Sequence, residues 1–279
     1  MSIEWSLVFF TLFVGLAAGV FTVIAISEWE GGAVKQIRLP GAVLTLVALV
    51  IGGVSGVLHL GHPERIFGAL EKPGSGIGLE ALLIGVFGLI VIFYLLALRR
   101  GASEFVCKLL ATIGALTAMC SASGIGHTYV LPSRPAWDTG VLPILYVVSA
   151  IVIGHFCIAT LLSGRKEQLY ATEFRLILNS LVLLALQIGC IIYYVWHLSK
   201  TPYSDASRSA SRVLMGDLAP LFWVGVVLLG FLVPFIITWR TGKSESFANA
   251  RYGLMCVLLG GIAFRAMMFL LGSPVRHFF

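Results

Sequence analysis

GVSGVLHLGHPERIFGALEKPGSGIGLEA, residues 53–81, is a polar island between two long apolar runs. It carries His59 and His62 and ends with Glu80 at the start of the next run; Pro63, Pro73 and several glycines prevent it from continuing as one helix. The flanking runs are about 20 residues long, enough for a helix to cross the hydrocarbon core. A barrel strand would be about 10 residues long and alternate in polarity, and these runs do neither. The stretch therefore reads as the turn of a hairpin of two membrane-crossing helices.

The same pattern repeats along the chain. With charged residues as fences, eight apolar runs stand out, at roughly 4–27, 40–59, 79–98, 108–131, 140–162, 176–197, 218–238 and 251–272. The expected fold is all-α: a polytopic integral membrane protein, a bundle of eight transmembrane helices within one domain, residues 1–279. Of the 279 residues, 58% are hydrophobic and 11% charged, against about 25% charged in a typical soluble domain. No Lys or Arg precedes the first apolar run, which is longer than a signal-peptide core, so it is expected to be a retained helix. The longest connection, about 198–217, is too polar to enter the bilayer and is expected at the surface.

Loop charge sets the expected orientation. The odd-numbered loops carry eleven Lys and Arg residues (Lys35, Arg38, Arg99, Arg100, Lys108, Arg165, Lys166, Arg175, Arg240, Lys243 and Arg251), the other side seven, and Arg265 lies within the eighth helix. Both termini are thus expected on the outer side. His59, Glu80, His127 and His197 then fall at the outer ends of their helices. Arg265 lies about two-thirds of the way out along its own, and His155 near mid-depth.

The net charge of +6 is a topology signal; no basic face interleaved with aromatics suggests nucleic acid. The five cysteines stand singly, with no CxxC and no Cys/His spacing for zinc or an iron–sulfur cluster, so they read as small apolar residues. Any such cluster belongs to another chain, and no metal is expected in this one.

Ionisable groups inside a bilayer are costly and point to function or to a partner. The plain reading of Glu80 and Arg265 is an ion pair between the third and eighth helices, or an Arg265 that snorkels to the surface. The sharper reading is a quinone site. Such a headgroup alternates between accepting and donating hydrogen bonds as it gains or loses two electrons and two protons. Histidine can match both states near neutral pH, and a carboxylate can take the second proton. The site must lie beside lipid, for the isoprenoid tail, and near water, for the protons. His59 and Glu80 meet these demands. Haem is a competitor, but a two-haem arrangement would need a second histidine pair on the inner side, where only His155 stands.

The segment HLGHPERIF at His59–Phe67, followed by GLEA at Gly78–Ala81, resembles the membrane anchor subunit of dimethyl sulfoxide reductase. That family shows His-Leu-Gly-x-Pro-x-Arg after its second helix and a Glu at the start of its third. The resemblance extends to Tyr129 with PSRPAW in the fourth loop and to Arg265 in FRAMMF. His62 stands where the family often has a small residue, and Gly261 where members carry a Glu. The resemblance implies a haem-free menaquinol-oxidising subunit in a bacterial inner membrane. It would anchor a molybdopterin catalytic subunit and pass electrons from menaquinol to an iron–sulfur subunit in anaerobic respiration. By motif position, His59 and Glu80 are its quinol-site residues, with Arg65 and Arg265 as candidates to stabilise the quinol anion. The rival readings are a secondary transporter, which usually shows repeats and broken helices at mid-membrane, and a purely structural anchor without a quinone site.

Overall fold

The computed structural model describes residues 3–59, 68, 75–163, 170–200, 204–244 and 249–272. Among these there are helices and no strands. Helix α1 runs from Trp5 to Glu30 and α2 from Arg38 to His59, joined through a short 3₁₀ turn, Ala33–Ile37. Next come α3 (Gly76–Arg99), α4 (Glu104–Thr128), α5 (Val141–Ser163) and α6 (Tyr170–Lys200). A short helix, α7 (Ser204–Leu214), precedes a π-helical stretch, Leu221–Leu232, which continues as α8 (Val233–Ser244). Helix α9, Ala250–Leu271, is the last described. Eight of these spans are long and apolar enough to cross a membrane, and the chain is a multi-pass membrane protein. The polar connection after α6 holds a helix, α7, which was too short and too polar to leave a hydropathy signal.

The bundle is built round α1 and α5. Both are buried over 78% of their most apolar window, against 17% for α3, whose side chains mostly face outward to lipid. Lipid offers no hydrophobic drive for helices to pair, so tight association needs small residues that let backbones meet. The sequence GLAAG at Gly15–Gly19 supplies them on α1 and Ala150 with Gly154 on α5. A Cβ at Gly19 would overlap the Ala150 carbonyl, and one at Gly154 would overlap the Gly19 backbone. The π-helical stretch meets α9 in the same way, with Gly230 against Gly260 and Gly225 against Ala263.

Hairpin alternation leaves His59 and Glu80 at one end of the bundle and Glu28 at the other. At the Glu28 end the carboxylate is fully buried. It accepts from Arg38 Nη1 at 3.1 Å and from the Tyr94 hydroxyl at 2.5 Å. Lys35 bridges it to Glu104, at 3.8 and 3.1 Å, and Glu104 also meets Lys108 at 3.2 Å. This network ties α1, α2, α3 and α4 together where they leave the membrane.

Candidate functional site

Helix α2 ends on His59, which places the imidazole at the rim of the bundle. Its Nδ1 lies 2.9 Å from Oε2 of Glu4, the residue just before α1, and both side chains are partly exposed. An ionised carboxylate can only accept, so this contact keeps the proton on Nδ1 and leaves Nε2 as the ring's acceptor. Glu4 is a site residue that sequence reasoning missed.

Glu80 sits in the first turns of α3, whose N-terminus is capped by Ser75 accepting from the Gly78 N–H at 3.1 Å. The Thr128 hydroxyl, at the end of α4, lies close to the carboxylate and donates to the Gly124 carbonyl at 3.1 Å. Glu80 Oε1 is buried and has no hydrogen-bond partner among the described residues. A buried acceptor left in that state is costly unless it carries a proton or meets a donor.

Beyond Thr128, Tyr129 turns inward. It stacks on Tyr146 at 6.1 Å and meets Trp137 and Phe269 edge-on at 5.5 and 5.3 Å. Burial raises the Tyr129 hydroxyl pKa well above its ordinary value; Tyr146, Glu80 and Glu4 act in the same direction and Arg265 opposes them. Tyr129 is therefore a neutral donor at any physiological pH, within the field of both carboxylates. The connection from Tyr129 to Thr139 folds over the end of α9. Trp137 Nε1 donates to the Met268 carbonyl at 2.8 Å, and Arg134 donates to the Gly272 carbonyl at 2.8 Å while covering the Trp137 ring at 4.5 Å.

Arg265 is buried, 1% exposed, and neither snorkels nor pairs with Glu80. Its Nε donates to Thr11 Oγ1 at 3.0 Å, Nη1 to the Gly261 carbonyl at 3.1 Å and Nη2 to the Thr11 carbonyl at 3.4 Å. The guanidinium lies 5.1 Å from the Tyr146 ring centroid. Gly15 and Gly261 make the room: a Cβ on either would come within 3.4 or 3.2 Å of a guanidinium nitrogen. The expected ion pair is thus replaced by neutral acceptors on α1 and a ring face on α5. These contacts give each guanidinium nitrogen one acceptor and leave its positive charge without a counter-ion among the described residues.

The expected site residues therefore divide. His59 and Glu80 lie at one end of the bundle, with Tyr129 and Tyr146 between Glu80 and Arg265 in electrostatic reach. Arg65 and His62 lie outside the described residues. His127 is exposed on α4, and His155 lies in the other half of the bundle. Among the described residues no group of three or more His, Cys, Asp or Glu is placed to hold a metal ion.

A family profile described as polysulphide reductase, NrfD, matches residues 1–272. The anaerobic dimethyl sulfoxide reductase chain YnfH of Escherichia coli K12 is 23% identical over 271 residues, covering 95% of this chain and 94% of its own length. A selenate reductase subunit of Mesobacillus selenatarsenatis is 24% identical over 330 residues, covering 99% and 75%. A polysulfide reductase subunit of Wolinella succinogenes is 24% identical over 297 residues, covering 94% and 91%. With the match spanning all eight membrane helices, the chain belongs to the polysulphide reductase NrfD family of membrane subunits.

Proposed function

We propose that the chain is the haem-free anchor and quinol-oxidising subunit of a molybdopterin reductase complex in a bacterial inner membrane. It takes electrons from menaquinol and passes them to an iron–sulfur subunit. The observation that carries the reading is Glu80 Oε1, an acceptor without a partner among the described residues, at the same end of the bundle as the acceptor Nε2 of His59. A quinol offers two hydroxyl donors, and these two atoms are acceptors at the lipid edge. His59 Nε2 takes one proton while Glu4 holds the ring through Nδ1–H, and Glu80 takes the other. The Arg265 charge, held behind Tyr146 and Tyr129, favours negative charge on the ring as the protons leave. Arg65 remains a further candidate for that role.

The names of the relatives support the partners: each is one component of a reductase named for a sulfur or selenium compound. The charge bias of the loops supports placing both termini, and this end of the bundle, on the outer side, where an electron-accepting subunit would dock. His59→Arg and Glu80→Lys should each abolish menaquinol-dependent reduction while the complex still assembles at the membrane. Normal quinol turnover by both variants would remove the site assignment and leave a purely structural anchor.

A further inference from the structure

At the Glu28 end of the bundle a cavity of about 330 Å³ opens between the last turn of α1, the side of α5 and the first turns of α6. Its deep end is His155, which is buried. The His155 Nδ1 lies 2.9 Å from the Ile151 carbonyl, and a carbonyl can only accept, so Nδ1 carries the proton and Nε2 is the acceptor of a ring that lines the cavity. Ser27 also lines it, and its hydroxyl hydrogen is committed to the Ile24 carbonyl at 2.6 Å, so its oxygen too is left to accept. The walls are apolar, Val23 and Leu176 among them, and Glu30 and the exposed Asn179 stand at the mouth. Gly31 and Gly32, at φ of 76° and 80°, turn the chain back across that mouth.

This is a wall of acceptors in an apolar cleft of ligand-pocket size. His155 lies eight residues inside the end of α5, about 12 Å at 1.5 Å per residue. The cavity therefore spans the boundary between headgroups and hydrocarbon. Its geometry asks for a flat amphiphile with hydroxyl donors at its head. We infer that this cavity is a second binding site, for the hydroxyl-bearing ring of a reduced diphenol of the quinol type, at the opposite membrane face from His59. An oxidised ring offers only carbonyl acceptors to the same lining and is discriminated against. The two sites are separate. Tyr146 lies nine residues from His155 along α5, about 14 Å, and between them α1 and α5 meet backbone to backbone at Gly19, Ala150 and Gly154.

The test uses the native complex in nanodiscs of phosphatidylcholine, stripped of quinone and kept anaerobic, with menadiol titrated calorimetrically. In the His59→Arg complex one equivalent of menadiol should still bind. His155→Leu added to it should weaken that equivalent about tenfold, the effect of one lost buried hydrogen bond. Asn179→Trp, which blocks the mouth from its exposed rim, should do the same without touching the interior. Menadione should bind there about tenfold more weakly than menadiol. The inference is overturned if His59→Arg removes all binding, or if the remaining binding ignores both cavity variants. It is also overturned if phosphatidylethanolamine in the nanodisc displaces menadiol from the His155-dependent site, since the occupant would then be a lipid amine. Binding lost with His155→Leu and untouched by His59→Arg would uphold this site and remove the one proposed at His59.

Discussion

A histidine at a helix end does little until something fixes which nitrogen it presents. Glu4 does this for His59 through a 2.9 Å contact to Nδ1. If that is its task, the acceptor matters more than the charge. Glu4→Gln, which keeps an acceptor for the Nδ1–H, should oxidise quinol within about twofold of the parent. Glu4→Leu should lose about fivefold in kcat with little change in KM, the effect of about 1 kcal/mol of lost orientation. Equal loss in both variants would point to the imidazolium's need for a nearby negative charge instead. Neither the pairing of Glu4 nor that of Arg265 could be read from the chain. The depth of Arg265 was legible because position along a helix fixes depth. Its partner was not, because the guanidinium chose the neutral Thr11, 254 residues away, over a carboxylate of opposite charge. Glu28 was overlooked for a related reason: at the end of an apolar run a carboxylate looks like a boundary, and only packing shows it to be fully buried beneath Arg38 and Tyr94.

At the scale of the helices, the spans were legible because hydropathy is a local property and each run must by itself satisfy its backbone inside lipid. What was not legible is how the helices meet. The glycines that decide this look like any others in an apolar run. Gly19→Ala puts a Cβ into the Ala150 carbonyl and should abolish recovery of monodisperse protein from detergent. Gly53→Ala, on a helix face with nothing within 4 Å, should leave melting unchanged or raise it slightly. Similar losses from the two would show that the α1–α5 contact is not the tight joint. The short helix α7 has its own fastener: Arg212 grips Asp217 through Nε at 2.9 Å and Nη2 at 2.7 Å. The guanidinium holds the Asp217 pKa below the ordinary carboxylate value and raises that of Arg212. A depressed acid stabilises the fold above its unfolded pKa, about 3.9, and the effect is lost as pH falls through the lower folded value. Hydrogen exchange across 211–218, corrected for intrinsic rates, should be flat from about pH 8 to 5 and rise only below about pH 4. A rise near pH 6 would contradict the fastening.

For the whole molecule, orientation is the prediction of widest consequence, since it decides which compartment receives the protons released at the proposed quinol site and on which side the proposed partner docks. Met215 is 91% exposed at the His59 end, and the Glu104 side chain is 62% exposed at the other. In intact spheroplasts Met215→Cys should react with a membrane-impermeant maleimide, while Glu104→Cys should react only after lysis. The reverse pattern would invert the proposed topology and move the quinol site to the inner face.

The central position of α1 has a consequence for how the protein is made. This helix precedes the other described helices in the chain, yet its surface is completed by α5 and by α9, the last described helix. During synthesis its GLAAG stripe waits for Ala150 and Gly154, about 135 residues further on, and the Thr11 hydroxyl for Arg265, 254 residues further on. A chain that stops before Arg265 keeps most of its eight-helix hydropathy and leaves Thr11 without the donor that joins α1 to α9, so the seam along α1 stays open.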